Sequence, residues 1–219
     1  MINYIRRSIY LVVIAWFSFA NAGSYDDYFS AITRDDPATV EALLNRGFDP
    51  NTINAQGLSG LYLALRDSSL KTARLLIDWP KTNVESRTPQ DESPLMMASL
   101  RGQTEIVRKL IARDADVNKT GWTPLHYAAT SAHLDIIELL LEHHAYIDAE
   151  SPNGTTPLMM AAQYGSPEAV KLLLDAGADA SLKNQRGLGA IDFAHLGGRN
   201  DSAELIAGFA RAGQPKGKW

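Results

Sequence analysis

The residues with most chemical capacity in this 219-residue chain are five histidines and a few acid pairs. An imidazole can ligate a metal or relay a proton, but only with partners at a defined spacing. His126 closes Thr123-Pro124-Leu125-His126, His133 lies seven residues on, His143 and His144 are adjacent, and His195 follows Ala194. Adjacent side chains diverge on a helix, so His143 and His144 do not form a metal pair. The pairs Asp26-Asp27 and Asp35-Asp36 read as a solvated surface rather than as two catalytic carboxylates. No H-E-x-x-H, G-x-S-x-G, Walker or dinucleotide fingerprint is present, and Gly197-Gly198 lacks the preceding strand and spacing of a phosphate loop. The chain has no cysteine, which removes disulfides, thiolate metal sites, a Cys nucleophile and a lipid-carrying N-terminal Cys. No catalytic residue, cofactor or metal ligand is therefore expected. With 21 Lys+Arg against 25 Asp+Glu, a formal charge of −4 and no basic run, nucleic acid is not an expected partner either.

The elements that position these residues repeat. Gly121-Trp-Thr-Pro-Leu-His-Tyr-Ala-Ala129, Gly154-Thr-Thr-Pro-Leu-Met-Met-Ala-Ala162 and Gly187-Leu-Gly-Ala-Ile-Asp-Phe-Ala-His195 are spaced by 154 − 121 = 33 and 187 − 154 = 33. Looser copies start at Gly57 and Asp91, and one without the Gly-x-Thr-Pro start runs from about 24 to 56. A second apolar stripe follows five of the copies, as in Val107-Arg-Lys-Leu-Ile111 and Ile137-Glu-Leu-Leu-Leu141. Apolar residues at i, i+3 and i+4 line one face of a helix. Thr123 can cap the orphan amides of its helix and Pro124 fits the first turn, as do Thr156 and Pro157 one copy later. Gly47 and Gly177 stand where a second helix ends; Asp114 and His144 stand at equivalent places, so those ends should be more strained. The copy from Asp91 is three residues short before Gly121, which predicts a clipped hairpin.

The period, the Gly-x-Thr-Pro-Leu-His opening and the Leu-Leu-Leu…Gly-Ala-Asp ending resemble the ankyrin repeat over about residues 24–210. The resemblance implies an all-α solenoid of about six stacked helix-turn-helix units joined by hairpin loops. The repeats fall near 24–56, 57–90, 91–120, 121–153, 154–186 and 187–210, with a loose tail at 211–219. It also implies that His126 hydrogen-bonds between adjacent repeats and that His133 is structural. The methionines Met96, Met97, Met159 and Met160 recur at fixed repeat positions and are expected in the core or on a groove wall. His195 replaces a small residue, so it should perturb local packing or point to the groove edge.

Residues 1–22 read as an address. Arg6-Arg7, the apolar run Ile9 to Ala20 and Ala20-Asn21-Ala22 are the three parts of a secretory signal peptide. Cleavage is expected between Ala22 and Gly23, leaving a charge of 19 − 25 = −6; a retained anchor is the alternative. The expected product is a soluble monomer in the periplasm, or outside the cell, with no membrane contact once the signal is removed.

In ankyrin proteins the hairpin tips and the exposed edge of the first helix form a concave binding surface. By register, the positions expected to touch a protein partner are Leu58, Arg66, Leu100, Arg101, Trp122, Thr130, Gln163, Tyr164 and Leu188. Aromatic residues and Arg often anchor protein interfaces. Trp122, beside the clipped hairpin, is the strongest single expectation. Leu58 and Leu188 could instead only shield neighbouring loops. The function expected is a non-catalytic binding module of the envelope that inhibits, protects or chaperones one protein. The alternatives are a secreted effector acting on a host protein and a small hydrolase with a cryptic site.

Overall fold

The computed structural model describes residues 23–212. The address segment 1–22 and residues 213–219 of the expected tail lie outside them. The described residues form helix pairs with no named strand, and they divide into two compact units, one up to Asn83 and one from Val84. The fold is an all-α ankyrin-repeat solenoid.

In the first unit, helix α1 (23–33) precedes α2 (Pro37–Asn45), α3 (Gly60–Arg66) and α4 (Leu70–Asp78). Its core holds Tyr28, Ile32, Val40, Leu43, Leu61, Leu65, Leu76 and Ile77. Gly60 allows α1 to approach α3, since a Cβ there would stand 2.3 Å from the Tyr28 hydroxyl. That hydroxyl donates to the carbonyl of Pro50 at 3.0 Å, and burial raises its pKa.

The second unit holds four pairs: α5 (Pro94–Leu100) with α6 (Thr104–Ile111), α7 (Pro124–Thr130) with α8 (Leu134–Glu142), α9 (Pro157–Tyr164) with α10 (Pro167–Asp175), and α11 (Ala190–Leu196) with α12 (Asn200–Ala212). The inner helices α5, α7, α9 and α11 pack in that order, and so do the outer helices α6, α8 and α10, with α12 against α10. Helix α12 runs to Ala212, two residues into the expected tail. Caps set the starts: Ser93 Oγ accepts from Met96 N–H at 3.1 Å and Ser166 Oγ from Ala169 N–H at 3.3 Å, each just before a proline. Buried Ala98, Ala128, Ala129, Ala161, Ala162 and Ala194 keep the inner helices close. Helix ends behave as the register predicts. Gly47 and Gly177 have φ +94° and +101°, and Asp114 and His144 take the same left-handed turn at +60° and +64°, which costs a side chain more than it costs glycine.

Side chains lace successive loops together. Within the first unit, Asn51 donates to Lys81 O and accepts from Asn83 N–H. Within the second, Glu85 accepts from Asp116 N–H, Asn118 donates to His144 O and accepts from Tyr146 N–H, and Asp148 accepts from Asp179 N–H. A second set closes the hairpin tips: Asn54, Thr88, Ser151 and Asn184 each accept from a backbone N–H four residues on. Counting back three from Gly121, the tip position falls on Asn118, which is already engaged between repeats. The three missing residues have removed the tip turn and kept the inter-repeat bond. Lys119 pairs with Asp91 across the shortened loop.

Candidate partner-binding face

An apolar hollow lies on the inner-helix side of the second unit. Leu100, Trp122, His126, Tyr127, Thr130 and Met160 line a cup of about 230 Å³. Three consecutive repeats contribute. Leu100 ends α5; Trp122, His126, Tyr127 and Thr130 belong to the α7 repeat; Met160 sits in α9. Trp122 meets the His126 ring edge-on at 5.1 Å between centroids and 75° between planes.

The floor is polar but fully engaged. The Thr123 N–H donates to His126 Nδ1 at 3.1 Å, so that nitrogen carries no proton and Nε2 does. Nε2–H donates to Thr155 O in the next repeat at 2.9 Å. His126 thus ties two repeats, as the resemblance implied, and burial lowers its pKa to about 4. Thr123 and His126 form a capping box, and the Thr123 hydroxyl also lies 2.8 Å from the same Nδ1. Thr130 Oγ donates to His126 O at 2.7 Å, and the Tyr127 hydroxyl donates to Glu92 at 2.8 Å. Burial, then the Glu92 carboxylate, raises the Tyr127 pKa.

Of the positions expected to touch a partner, Leu100, Trp122 and Thr130 come together in the cup. Trp122 is half-buried, with its ring propped by His126 rather than bare. Arg101 follows Leu100 and is exposed; Tyr164, at the matching place two repeats on, is 52% exposed. Gln163 is half-buried, and its carbonyl accepts from Arg199. Leu188 is half-buried beside Arg186, Asp192, His195 and the exposed Leu196 in a separate hollow. His195 is itself exposed, at a groove edge rather than in the packing. Leu58 and Arg66 belong to the first unit. Leu58 is half-buried, and Arg66 is clasped by Asp67 at 2.7 and 3.1 Å, which occupies the guanidinium expected to face a partner. Tyr127 and His126 line the cup without having been expected on the face, and Met160 takes the groove-wall alternative of its expectation.

The other histidines and methionines have structural surroundings. His133 Nε2 lies 3.1 Å from Leu100 O, and its ring covers Gly102, where a Cβ would come within 2.6 Å. Met96 and Met159 occupy the His126 position in their repeats, and their sulfurs accept from the cap N–H groups of Ser93 and Thr156. Thr156 and Pro157 are buried at the start of α9, the threonine accepting from Met159 N–H at 3.4 Å. Met97 is buried with them, leaving Met160 as the one of the four on the groove wall. Among the described residues no three His, Asp or Glu side chains gather as a metal would require, and no helix is long and apolar enough to cross a membrane.

The profile of the family described as ankyrin repeats (3 copies) matches residues 29–120, 78–151, 95–184 and 145–208. The chain belongs to the ankyrin-repeat family. Ankyrin repeats are in general protein–protein interaction modules, and no enzyme family is indicated. The chain is 38% identical over 122 residues to ankyrin repeat and SAM domain-containing protein 6 of Mus musculus, covering 53% of this chain and 13% of that protein. It is 30% identical over 155 residues to the B-cell lymphoma 3 protein homolog of Mus musculus, covering 68% and 35%. It therefore spans well under half the length of these curated relatives. Among solved structures, a chain in the complex of a predatory endopeptidase from Bdellovibrio bacteriovorus with an immunity protein matches at TM-score 0.72 and 25% identity, covering 83% of this chain and 97% of that one. An ankyrin repeat domain from Acinetobacter baumannii AYE matches at TM-score 0.71 and 24% identity, covering 84% and 97%.

Proposed function

We propose that this ankyrin-repeat protein is a non-catalytic module of the bacterial envelope that holds one protein on the inner-helix side of its second unit, inhibiting, protecting or chaperoning it. The observation that carries the reading is the cup. Its wall is apolar, the polar groups of His126, Tyr127 and Thr130 are already hydrogen-bonded, and it opens between three repeats at Leu100, Trp122 and Met160. An aromatic at the centre of a small desolvated hollow is the usual form of an interface anchor. The likeness to a chain from an endopeptidase–immunity protein complex supports a role in neutralising or guarding an enzyme. The basic, apolar and small-residue parts of segment 1–22 support export, and with it a place in the periplasm.

The test uses the chain from Gly23 as bait in a periplasmic extract, beside Trp122→Ala and Tyr164→Ala. Both variants should lose the same captured protein, Trp122→Ala by about 30-fold in affinity or more, while their circular dichroism melts stay within a few degrees of the parent. Capture indifferent to both substitutions moves the interface away from this face. Recovery of the chain only from the cytoplasm, with residues 1–22 intact, overturns the periplasmic part.

A further inference from the structure

The cup is small and its floor is chemically spent, which narrows what can enter it. At about 230 Å³ it lies below the ~300–1,000 Å³ of sites that enclose drug-sized ligands. It has room for one large side chain. A charged or amide head pushed inside would find the polar groups of the floor taken, because Nδ1 and Nε2 of His126, the Thr130 hydroxyl and the Tyr127 hydroxyl are already engaged.

The surroundings of the cup are one-sided in a different way. Beside it run the residues that follow Leu100, Thr130 and Gln163 in register: Arg101, Ser131 and Tyr164. Among the described residues the Arg101 guanidinium, the Tyr164 hydroxyl and the Trp122 indole N–H take no hydrogen-bond or ion-pair partner. All three can donate, and Arg101 carries a full positive charge. Of the acids in these repeats, Glu92 is taken up by the Tyr127 hydroxyl at the cup, while Asp135, Glu138 and Glu142 on α8 and Glu168 and Asp175 on α10 are exposed on outer helices. The protein is acidic overall, but the unpaired charge next to the cup is positive.

We infer that the cup receives one large apolar side chain (Phe, Leu or Met) from a partner segment that carries a carboxylate beside it, the carboxylate meeting Arg101. The inference rests on the protein-binding reading above and adds the chemistry of the occupant. The apolar side chain supplies the burial. The carboxylate selects the segment, since an exposed charge pair contributes discrimination more than affinity.

The test titrates the purified, ¹⁵N-labelled protein with three acetylated peptides: Ser-Glu-Phe-Asp-Gly, Ser-Lys-Phe-Lys-Gly and Ser-Glu-Ala-Asp-Gly. The reporter is the Trp122 indole N–H resonance, assigned by its loss in Trp122→Phe. The acidic Phe peptide should shift this resonance and bind about fivefold more tightly than the basic one, and the Ala peptide should leave it in place. Arg101→Glu, a surface change at a helix end, should reverse the order of the two Phe peptides without altering the melt. Equal binding of the two Phe peptides, or preference for the basic one in the parent, overturns the inference while a Trp122 shift by both leaves the protein-binding reading standing. No shift with any peptide up to about 10 mM, weaker than the millimolar range of minimal contacts, overturns the inference outright. The capture experiment with Trp122→Ala then decides the wider reading on its own.

Discussion

His126 is held as a neutral imidazole by a backbone donor on one side and a backbone acceptor on the other, both in a dry environment. Protonation would put a charge in the core and turn the Thr123 N–H into a donor facing a donor. Its pKa falls from 6.5 to about 4 because burial outweighs the Thr155 carbonyl, which favours the cation. Between those values the unfolded chain holds a proton that the folded chain rejects, so stability rises with pH across the window. Acidifying from about pH 6.5 to about 4 should therefore remove on the order of 3 kcal/mol from this residue alone. The protein contains the control at equivalent positions, where Met96 and Met159 accept the cap N–H through sulfur. His126→Met should flatten the dependence of urea midpoint on pH between 4 and 6.5. At pH 7.5 it should cost about 1–3 kcal/mol, because Thr155 O loses its donor. A slope equal to that of the parent would mean that other groups carry the acid sensitivity.

The loops carry two kinds of side-chain bond, and they differ in what they hold. Asn118 joins consecutive repeats by two hydrogen bonds, whereas Ser151 closes a turn whose Thr155 N–H keeps Asn153 as a second acceptor at 3.2 Å. Asn118→Ala should thus lower stability by about 1–2 kcal/mol and Ser151→Ala by less. The reverse order in urea unfolding would show that turn closure, not the bond between repeats, is what these loops contribute. Gly165→Ala should be costlier than either, because its Cβ would stand 2.5 Å from Ala129 O and 2.8 Å from Ala161 O in adjacent packed helices. Much of this was legible in sequence. The 33-residue period, the caps and the left-handed helix ends follow from local residue types. Half of the cup was not. Met97, Tyr127, Met160 and Phe193 share one register position, yet two are buried and two are half-buried. Which of them faces the groove depends on the bulk of neighbours in other repeats, and a single copy of the motif does not encode that. Arg66 escaped for a similar reason, since its clasp by the adjacent Asp67 depends on rotamer rather than on spacing.

In a repeat array each unit is stabilised by its own helices and by the interface with its neighbours, so the free energy is close to a sum of local terms. The last pair of the second unit is its terminal one. It packs against one repeat instead of two, Leu196 is 63% and Phe209 43% exposed, and Gly189 stands where the other repeats have a capping Ser or Thr. Beside the packing of α11 on α9 and α12 on α10, Arg199 fastens it: the guanidinium donates to Gln163 O at 3.0 Å and Tyr164 O at 2.9 Å, two carbonyls at the end of α9. This arrangement predicts a gradient of opening rather than one all-or-none transition. In native-state hydrogen exchange, amides of α11 and α12 should exchange before those of α7 and α9. Arg199→Ala removes both bonds at a partly exposed site and should cost about 1 kcal/mol, speeding exchange in α11 and α12 about fivefold. Protection in α7 should stay unchanged, because no bond of Arg199 reaches that repeat. Uniform acceleration across residues 84–212 would instead make the second unit a single cooperative body, and the additive account of its stability would fail. The distinction bears on the binding face: if opening stays confined to the last pair, the cup between α5, α7 and α9 remains formed while its neighbour frays.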